Sequence, residues 1–511
     1  MTDVLPPSAD IKLTQSTGRV TAARFAKLDH VIIITPHKIA ASAWQGVPEG
    51  AKLLRLTRRM HNDSLLSTHL SNASGTGVTL SRLPKGANRE INSNMFSLLR
   101  QAGSIAARAL QDKPRKVGVI AVGLTSHAQA RMFRALTLAL FAHAFKLPSF
   151  KSKTAKQRLK RISLLGLQSR MNLNREICEA KAINLARWLT AMPPNKLDAA
   201  SYRKAIAQLA NEHSWKAQTL SSSALQKLGA GAFLAVAQGN ADNDAAIVRL
   251  QYRPNGPTER PKLALIGKGI IFDTGGNNLK PFKSMLDMHE DMAGSATALA
   301  TLKALTDIGY SHAVDCWLAI TENRIGAKAY KSRDIVTACN GKTIEIIHTD
   351  AEGRMVLADT LALAAREKPE LMLDYATLTG TCVHALTERY SGVFTNRAGL
   401  NQLLIKTGEH CGERVWPFPM DQDYEEDIES KVADLLQCSV DGSGDHILAA
   451  RFLQNFVPED ASWIHMDLSS ASRKGGLAQI PSGATGFGVR FTLNLLHEKA
   501  ANLGELISGD S

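Results

Sequence analysis

Four carboxylates and three cations stand out among the charged residues of one stretch of this 511-residue chain. Asp273, Asp291, Asp350 and Glu352 lie between Gly267 and Arg354, with Lys268, Lys280 and Arg354 set among them. The stretch reads GKGIIFDTGGNNLK at 267–280, MHEDM at 288–292 and HTDAEGR at 348–354. Gathering like charges is unfavourable unless something compensates them. Two divalent cations would do so, and paired ions are a general device for hydrolysis because they make a shared water easy to deprotonate. The residue types therefore point to a metallohydrolase. Four carboxylates are few for a calcium cage and no calcium-loop pattern is present, whereas they suit two smaller ions sharing bridging ligands. Singly, each residue has a plainer reading. An Asp before Gly-Gly is ordinary turn chemistry, and a lone Lys or Arg is ordinarily solvated or ion-paired. Their coincidence is what favours a site.

Those residues must be delivered by the elements around them. The apolar run LALIGKGIIFD predicts a strand ending at Asp273, where Thr274-Gly275-Gly276 turns the chain, and strand ends are where α/β sheets collect ligands. AGSATALATLKALTDIG (293–309) predicts an Ala-rich helix just after Asp291 and ending at Gly309. AVDCWLAIT (313–321) predicts a strand, RMVLADTLALAAREK (354–368) a helix, and PELMLDYATLTG (369–380) a strand running into a turn. Asp350 and Glu352 follow the strand-like TIEIIHT, and at i and i+2 of an extended chain their carboxylates would point the same way. Upstream, HVIIIT and KVGVIAV (116–122) predict buried strands, and 95–111 and 128–145 predict helices. NREICEAKAINLARWLTAMPPN (174–195) predicts a helix stopped by Pro193-Pro194, linking two domains. The pattern gives an α/β chain with a mixed, mostly parallel sheet. The division expected is a smaller N-terminal α/β domain at 1–165, ended by the basic run 151–161, a linker helix at 166–195 and a three-layer α/β/α catalytic domain at 196–511. The tail after about Asn502 is expected to be disordered.

A hydrophobic content of 44% and a charged content of 21% are ordinary for a soluble globular chain of two or three domains. No run of about 18 apolar residues predicts a membrane span, and the N-terminus lacks the apolar core of a secretory signal. Six cysteines with no close pair fit buried thiols in a cytoplasmic protein. The net charge of +14 is uneven: residues 1–170 hold 27 Lys and Arg against 7 Asp and Glu, and the remainder holds 34 against 40. A basic module of that kind can meet nucleic acid, or it can be a solvated face or one turned toward an acidic subunit.

The motifs resemble those of the leucine aminopeptidase (cytosol aminopeptidase) family of dimetal exopeptidases. The family's NTDAEGR appears as HTDAEGR at 348–354, and its GKGITFDSGG as GKGIIFDTGG at 267–276. LKP (279–281), the EDM element (290–292), NLARWLTAMPPN (184–195), LGAGAFLAVAQGN (228–240), ERVWPFPMDQDYEEDIESKVADL (413–435) and GATGFGVRF (483–491) also match. The resemblance covers roughly 172–495; the N-terminal third matches only in general character. It implies five metal ligands, Lys268, Asp273, Asp291, Asp350 and Glu352, with Asp273 and Glu352 bridging two divalent ions; the oxygen-plus-lysine set accommodates Zn or Mn, and Mg as well. It implies Lys280 and Arg354 as catalytic cations, with a bicarbonate at Arg354 shuttling protons. Met288, Thr377, Gly380 and His446 would line the pocket for the first side chain of a short peptide. A homohexamer with inward-facing sites is the implied assembly.

Two departures stand out. His348 replaces the family's Asn, and SGDHILAARFL (443–453) places Asp445 and His446 where the family has small residues. The pocket would then be more polar than leucine requires, unless Asp445 merely N-caps the next helix. Two other functions compete with the aminopeptidase. A nucleic-acid role for 1–165 lacks a helix-turn-helix, zinc-finger spacing or interleaved aromatics. A dimetal phosphatase lacks a phosphate-binding loop.

Overall fold

The computed structural model describes residues 4–7, 10–61, 65–85, 94–153, 158–496 and 503–508. The chain divides into two compact units. One comprises Pro7–Lys181 with Gly475–Pro481; the other comprises Met1–Pro6, Ala182–Lys474 and Ser482–Ser511. The division falls inside the helix Asn174–Thr190, which stops three residues before the Pro193-Pro194 pair. No helix among the described residues is long and apolar enough to cross a membrane.

The first unit holds a six-stranded sheet of β1 (Lys12–Ser16), β2 (His30–Thr35), β3 (Leu65–His69), β4 (Gly77–Arg82), β5 (Lys116–Ala121) and β6 (Arg161–Leu165), in the order β1-β6-β5-β2-β4-β3. All pairs are parallel except β3 with β4. The alternation of β2 divides the core. Ile32 and Ile34 pack with residues of the helices Met95–Ala109 and Ser126–Ala144, while Val31 and Ile33 pack with Trp44 and Leu53. Those two helices were legible in the sequence, and the side chains of Asn94 and Thr125 cap them. The basic run 151–161 does not end the sheet. Its last residue, Arg161, begins β6, which sits between β1 and β5; residues 154–157 of the run lie outside the described residues. The charge run masks a five-residue strand too short to show a period.

The second unit carries β7 (Lys216–Ser221), β8 (Ala246–Tyr252), β9 (Leu263–Asp273), β10 (Val314–Asn323), β11 (Ile335–Thr337), β12 (Thr343–Glu345), β13 (Leu371–Ala376), β14 (Ser391–Thr395), β15 (Val415–Pro417), β16 (Leu435–Leu436) and β17 (Ser462–Asp467). Eight of them form a mixed sheet in the order β15-β14-β17-β13-β9-β10-β8-β7, whose centre, β17 to β10, is parallel. The strands β11, β12 and β16 form a small sheet of their own. On one face of β9, Gly267 and Gly269 admit the helix Ala293–Ile308: a Cβ on Gly267 would stand 2.5 Å from Ser295 Cα. Closer still, a Cβ on Gly294 of that helix would stand 2.1 Å from the Tyr375 carbonyl oxygen. On the other face Ala264, Ile266 and Ile270 pack with Met355, Val356 and Leu357 of the helix Glu352–Ala365. The result is three layers, with β9 buried from both sides as its continuous apolar run requires.

The C-terminal tail differs from expectation. Leu503–Ser508 form a helix with Leu506 fully buried, while 497–502 and 509–511 lie outside the described residues.

Candidate metal centre

β9 ends on Asp273, and β10, its parallel neighbour, ends on Asn323 beside it across a register shift. Asp273 Oδ1 accepts from Asn323 Nδ2 at 2.8 Å and from the Gly275 amide at 2.8 Å. Gly275 and Gly276 have φ of 85° and 64°, so the turn after the strand needs residues without a Cβ. A Cβ on Gly275 would stand 3.0 Å from Asp350 Oδ1. The loop carrying Asp350 is braced against this turn. Thr349 Oγ1 donates to the Gly275 carbonyl at 2.6 Å and accepts from the Asn278 amide at 2.8 Å. Tyr330 and Asn323 both donate to the Thr349 carbonyl.

Asp350 and Glu352 converge by a route that differs from the extended pair anticipated. β12 stops at Glu345; Asp350 sits in a turn, and Glu352 is the first residue of the helix Glu352–Ala365. A turn and a helix start, rather than a period of two, set their directions. Ligand oxygens of Asp273, Asp350 and Glu352 nevertheless lie within 4.8 Å of one another.

Lys268 rises from β9 on the face of the Glu352–Ala365 helix. A Cβ on Gly353 would stand 2.7 Å from Lys268 Cε, so that glycine clears the path of the lysine stem. Lys268 Nζ reaches Asp291 Oδ1 at 2.7 Å, Glu352 Oε1 at 3.0 Å and the Thr377 carbonyl at 2.8 Å. Thr377 Oγ1 donates to Asp291 Oδ1 at 2.7 Å, and Asp291 Oδ2 is buried without a hydrogen-bond partner. Lys280 Nζ lies 2.9 Å from Asp273 Oδ2 and 2.5 Å from Asp350 Oδ1.

The charge balance favours cations. Four carboxylates face two ammonium groups, and Asp273, Asp291 and Glu352 are buried. Burial, then the neighbouring Glu352 and Asp273, push the Asp350 carboxyl up to about 7 despite Lys280. Burial, with the charges of Glu352 and Asp273, also raises Asp291 against the pull of Lys268. Burial alone would lower both lysines; the surrounding carboxylates outweigh it and raise them. A bare carboxylate group whose members disfavour one another's ionisation, with an orphaned oxygen on Asp291, fits divalent ions held by oxygen donors.

Arg354 is buried on the same helix, with Nη2 2.7 Å from both carboxylate oxygens of Asp445 and Nη1 3.2 Å from the Gln437 carbonyl. Asp445 is the first residue of the helix Asp445–Gln454, whose N-cap is Gly444, so it does not N-cap that helix. His348 is exposed and its Nδ1 accepts the Asp350 amide at 3.2 Å. Partial desolvation of the ring by its neighbours, then the nearby Lys280, lower its pKa, in keeping with that acceptor role.

Of the four residues expected around the first side chain, Thr377 joins the charged cluster directly. His446 donates its amide to Thr381 Oγ1 at 3.0 Å and sets its ring edge-on to Phe418. Gly380 opens the helix Gly380–Leu386, and a Cβ there would meet nothing within 4 Å. Met288 lies half-buried in the turn before Asp291.

Sequence reasoning missed Asn323 and Gln437. Gln437 accepts the amides of Ile347 and His348 and donates to the Ala351 carbonyl, holding the loop from both sides. Gln437 carried no signal in the chain. Asn323 did: it ends a strand that must lie beside the one ending at Asp273.

Comparison with known proteins gives the family. Residues 184–493 match the family model described as the cytosol aminopeptidase family, catalytic domain. The chain is 40% identical over 338 residues to a probable cytosol aminopeptidase of Syntrophotalea carbinolica, covering 66% of this chain and 67% of that one. It is 37% identical over 417 residues to a probable cytosol aminopeptidase of Polaromonas naphthalenivorans, covering 81% and 78%. Among solved structures, a tomato leucine aminopeptidase mutant superposes with a TM-score of 0.81 at 27% identity, covering 96% of this chain and 97% of that one. The bottromycin maturation enzyme BotP in complex with Mn gives 0.79 at 28%, covering 93% and 100%.

Proposed function

The chain belongs to the cytosol aminopeptidase family and is a metal-dependent aminopeptidase, and from that premise we propose how its own residues divide the work. Asp273, Glu352, Asp350, Asp291 and Lys268 would hold two divalent cations. When bound, such ions supply an acidified water and charge stabilisation at the substrate carbonyl. Lys268 serves as a ligand only as the neutral amine.

Lys280 stands at the solvent side of the cluster, between Asp273 and Asp350, and donates to the carbonyl oxygen as negative charge gathers there. The free α-amine of the substrate completes the site, which restricts cleavage to the first residue. Thr377, Gly380, Met288 and His446 border the first side chain, and His446 gives that wall a polar edge. The bicarbonate expected at Arg354 would have to share its guanidinium with Asp445. Zn, Mn and Mg all suit oxygen-rich ligands, and a structural neighbour is described with Mn.

The observation that carries this reading is the convergence of four carboxylates and two lysines around the ends of the central strands β9 and β10. Its test is metal analysis of protein purified without chelator, coupled to hydrolysis of aminoacyl amides across the three ions. Cleavage of free but not acetylated N-termini is expected; hydrolysis of phosphate esters instead would overturn it. A homohexamer and a cytoplasmic location remain part of the proposal, the latter supported by six free cysteines. A gel shift at varied salt tests the nucleic-acid alternative, for which only the charge of the first third speaks.

A further inference from the structure

A guanidinium buried two residues beyond Glu352 is a natural seat for a small planar oxyanion. In this chain the seat is taken from within. Both oxygens of Asp445 lie 2.7 Å from Arg354 Nη2, and Nη1 is committed to the Gln437 carbonyl. Two N–H groups are left, the second on Nη1 and that of Nε, which is buried without a hydrogen-bond partner. With the guanidinium charge already met by an ionised carboxylate, these do not hold a second anion, because the Asp445 charge repels it.

Other features separate Asp445 from an ordinary counter-ion. Its side chain is 24% exposed where that of Arg354 is 2% exposed, so the carboxylate forms the open end of the pair. It opens the helix Asp445–Gln454 after two left-handed glycines, Gly442 and Gly444, and spends its charge on a residue 91 positions away rather than on its own helix end. Its partner Arg354 stands on the first turn of the helix that begins with Glu352, which ties the pair to the charged cluster.

We propose that Asp445 is a built-in oxyanion that Arg354 holds toward the reaction, and that it accepts the proton of the attacking water in place of any free anion. The step balances within the chain and its substrates. A water O–H bond breaks and its proton passes to an Asp445 oxygen, while the oxygen lone pair forms the new bond to the peptide carbon. When the C–N bond breaks, the same proton returns to the departing amine. The role rests on the aminopeptidase reading above; the occupancy of Arg354 does not.

The experiment uses the full chain and its variants D445N, D445A and D445S, with melting temperatures confirming that each folds; D445S replaces D445A if the latter does not. Metal-free protein is titrated calorimetrically with sodium formate, and metal-loaded protein is assayed on leucyl amide in argon-sparged buffer with and without bicarbonate. Wild type should bind no formate and keep its rate without bicarbonate. D445N should lose about 100-fold in kcat, and D445A should bind formate and recover rate with formate or bicarbonate but not with chloride. Formate binding to wild type, dependence of wild type on bicarbonate, or an unchanged kcat in D445N would each overturn the proposal. If no form hydrolyses aminoacyl amides, the aminopeptidase reading fails and proton acceptance falls with it, while the formate titration still decides whether Asp445 fills the seat.

Discussion

Asn323 donates to Asp273 across two neighbouring strand ends, Nδ2 to Oδ1 at 2.8 Å, and the same nitrogen reaches the Thr349 carbonyl at 3.0 Å. One neutral amide thus ties the first carboxylate of the site to the loop that carries the third. Replacing it with alanine should weaken metal binding by about 10–100-fold, because the ligands lose their orientation while keeping their charge. Competition with a graded chelator series measures this. Unchanged affinity in Asn323→Ala would mean the backbone alone positions Asp273.

Asp273→Ala and Glu352→Ala should each abolish both metal retention and hydrolysis, since each removes a buried carboxylate from the centre of the cluster. Metal content after gel filtration, read beside the rate on leucyl amide, tests the pair. Full turnover by either variant contradicts the ligand assignment.

Gly294→Ala should destabilise the fold by about 1–3 kcal/mol or more, because its methyl would enter the Tyr375 carbonyl at 2.1 Å. Gly380→Ala, where a Cβ meets nothing within 4 Å, is the control and should leave the urea midpoint nearly unmoved. Equal midpoints for the two would show that helix and strand separate more easily than the packing implies.

His30 predicts an acid-side weakness in the first unit. Burial holds its imidazole at about 4, below the ordinary 6.5, with a smaller push upward from Asp112 and downward from His69. The unfolded chain therefore takes up the proton first as pH falls. Stability is complete above pH 6.5 and declines toward pH 4, by about 2 kcal/mol at pH 5. His30→Gln, which keeps a donor for Thr79, should flatten the decline between pH 7 and pH 5 in urea titrations. An unaltered slope would place the acid sensitivity elsewhere.

The legible parts of this molecule are those whose signal is local. β9 announces itself by eleven mostly apolar residues, and the Ala-rich helix by a glycine that closes it at φ 71°. The charged residues were readable because their density had no cheap explanation. What escaped is contact made across the chain. Gln437 stands about ninety residues from the amides it accepts, and nothing beside it in sequence marks that role. Asp445 was noticed as oddly polar, but its tie to Arg354 needs two helices to meet. β6 was lost behind a run of lysines because five residues carry too little pattern.

The clearance over Gly353 has a bearing on how this centre could ever be altered. A Cβ at position 353 would stand 2.7 Å from Lys268 Cε and 2.8 Å from its Nζ, so any side chain there pushes the amine away from Asp291 and Glu352. Redesign of the ion preference therefore has to treat the two positions together.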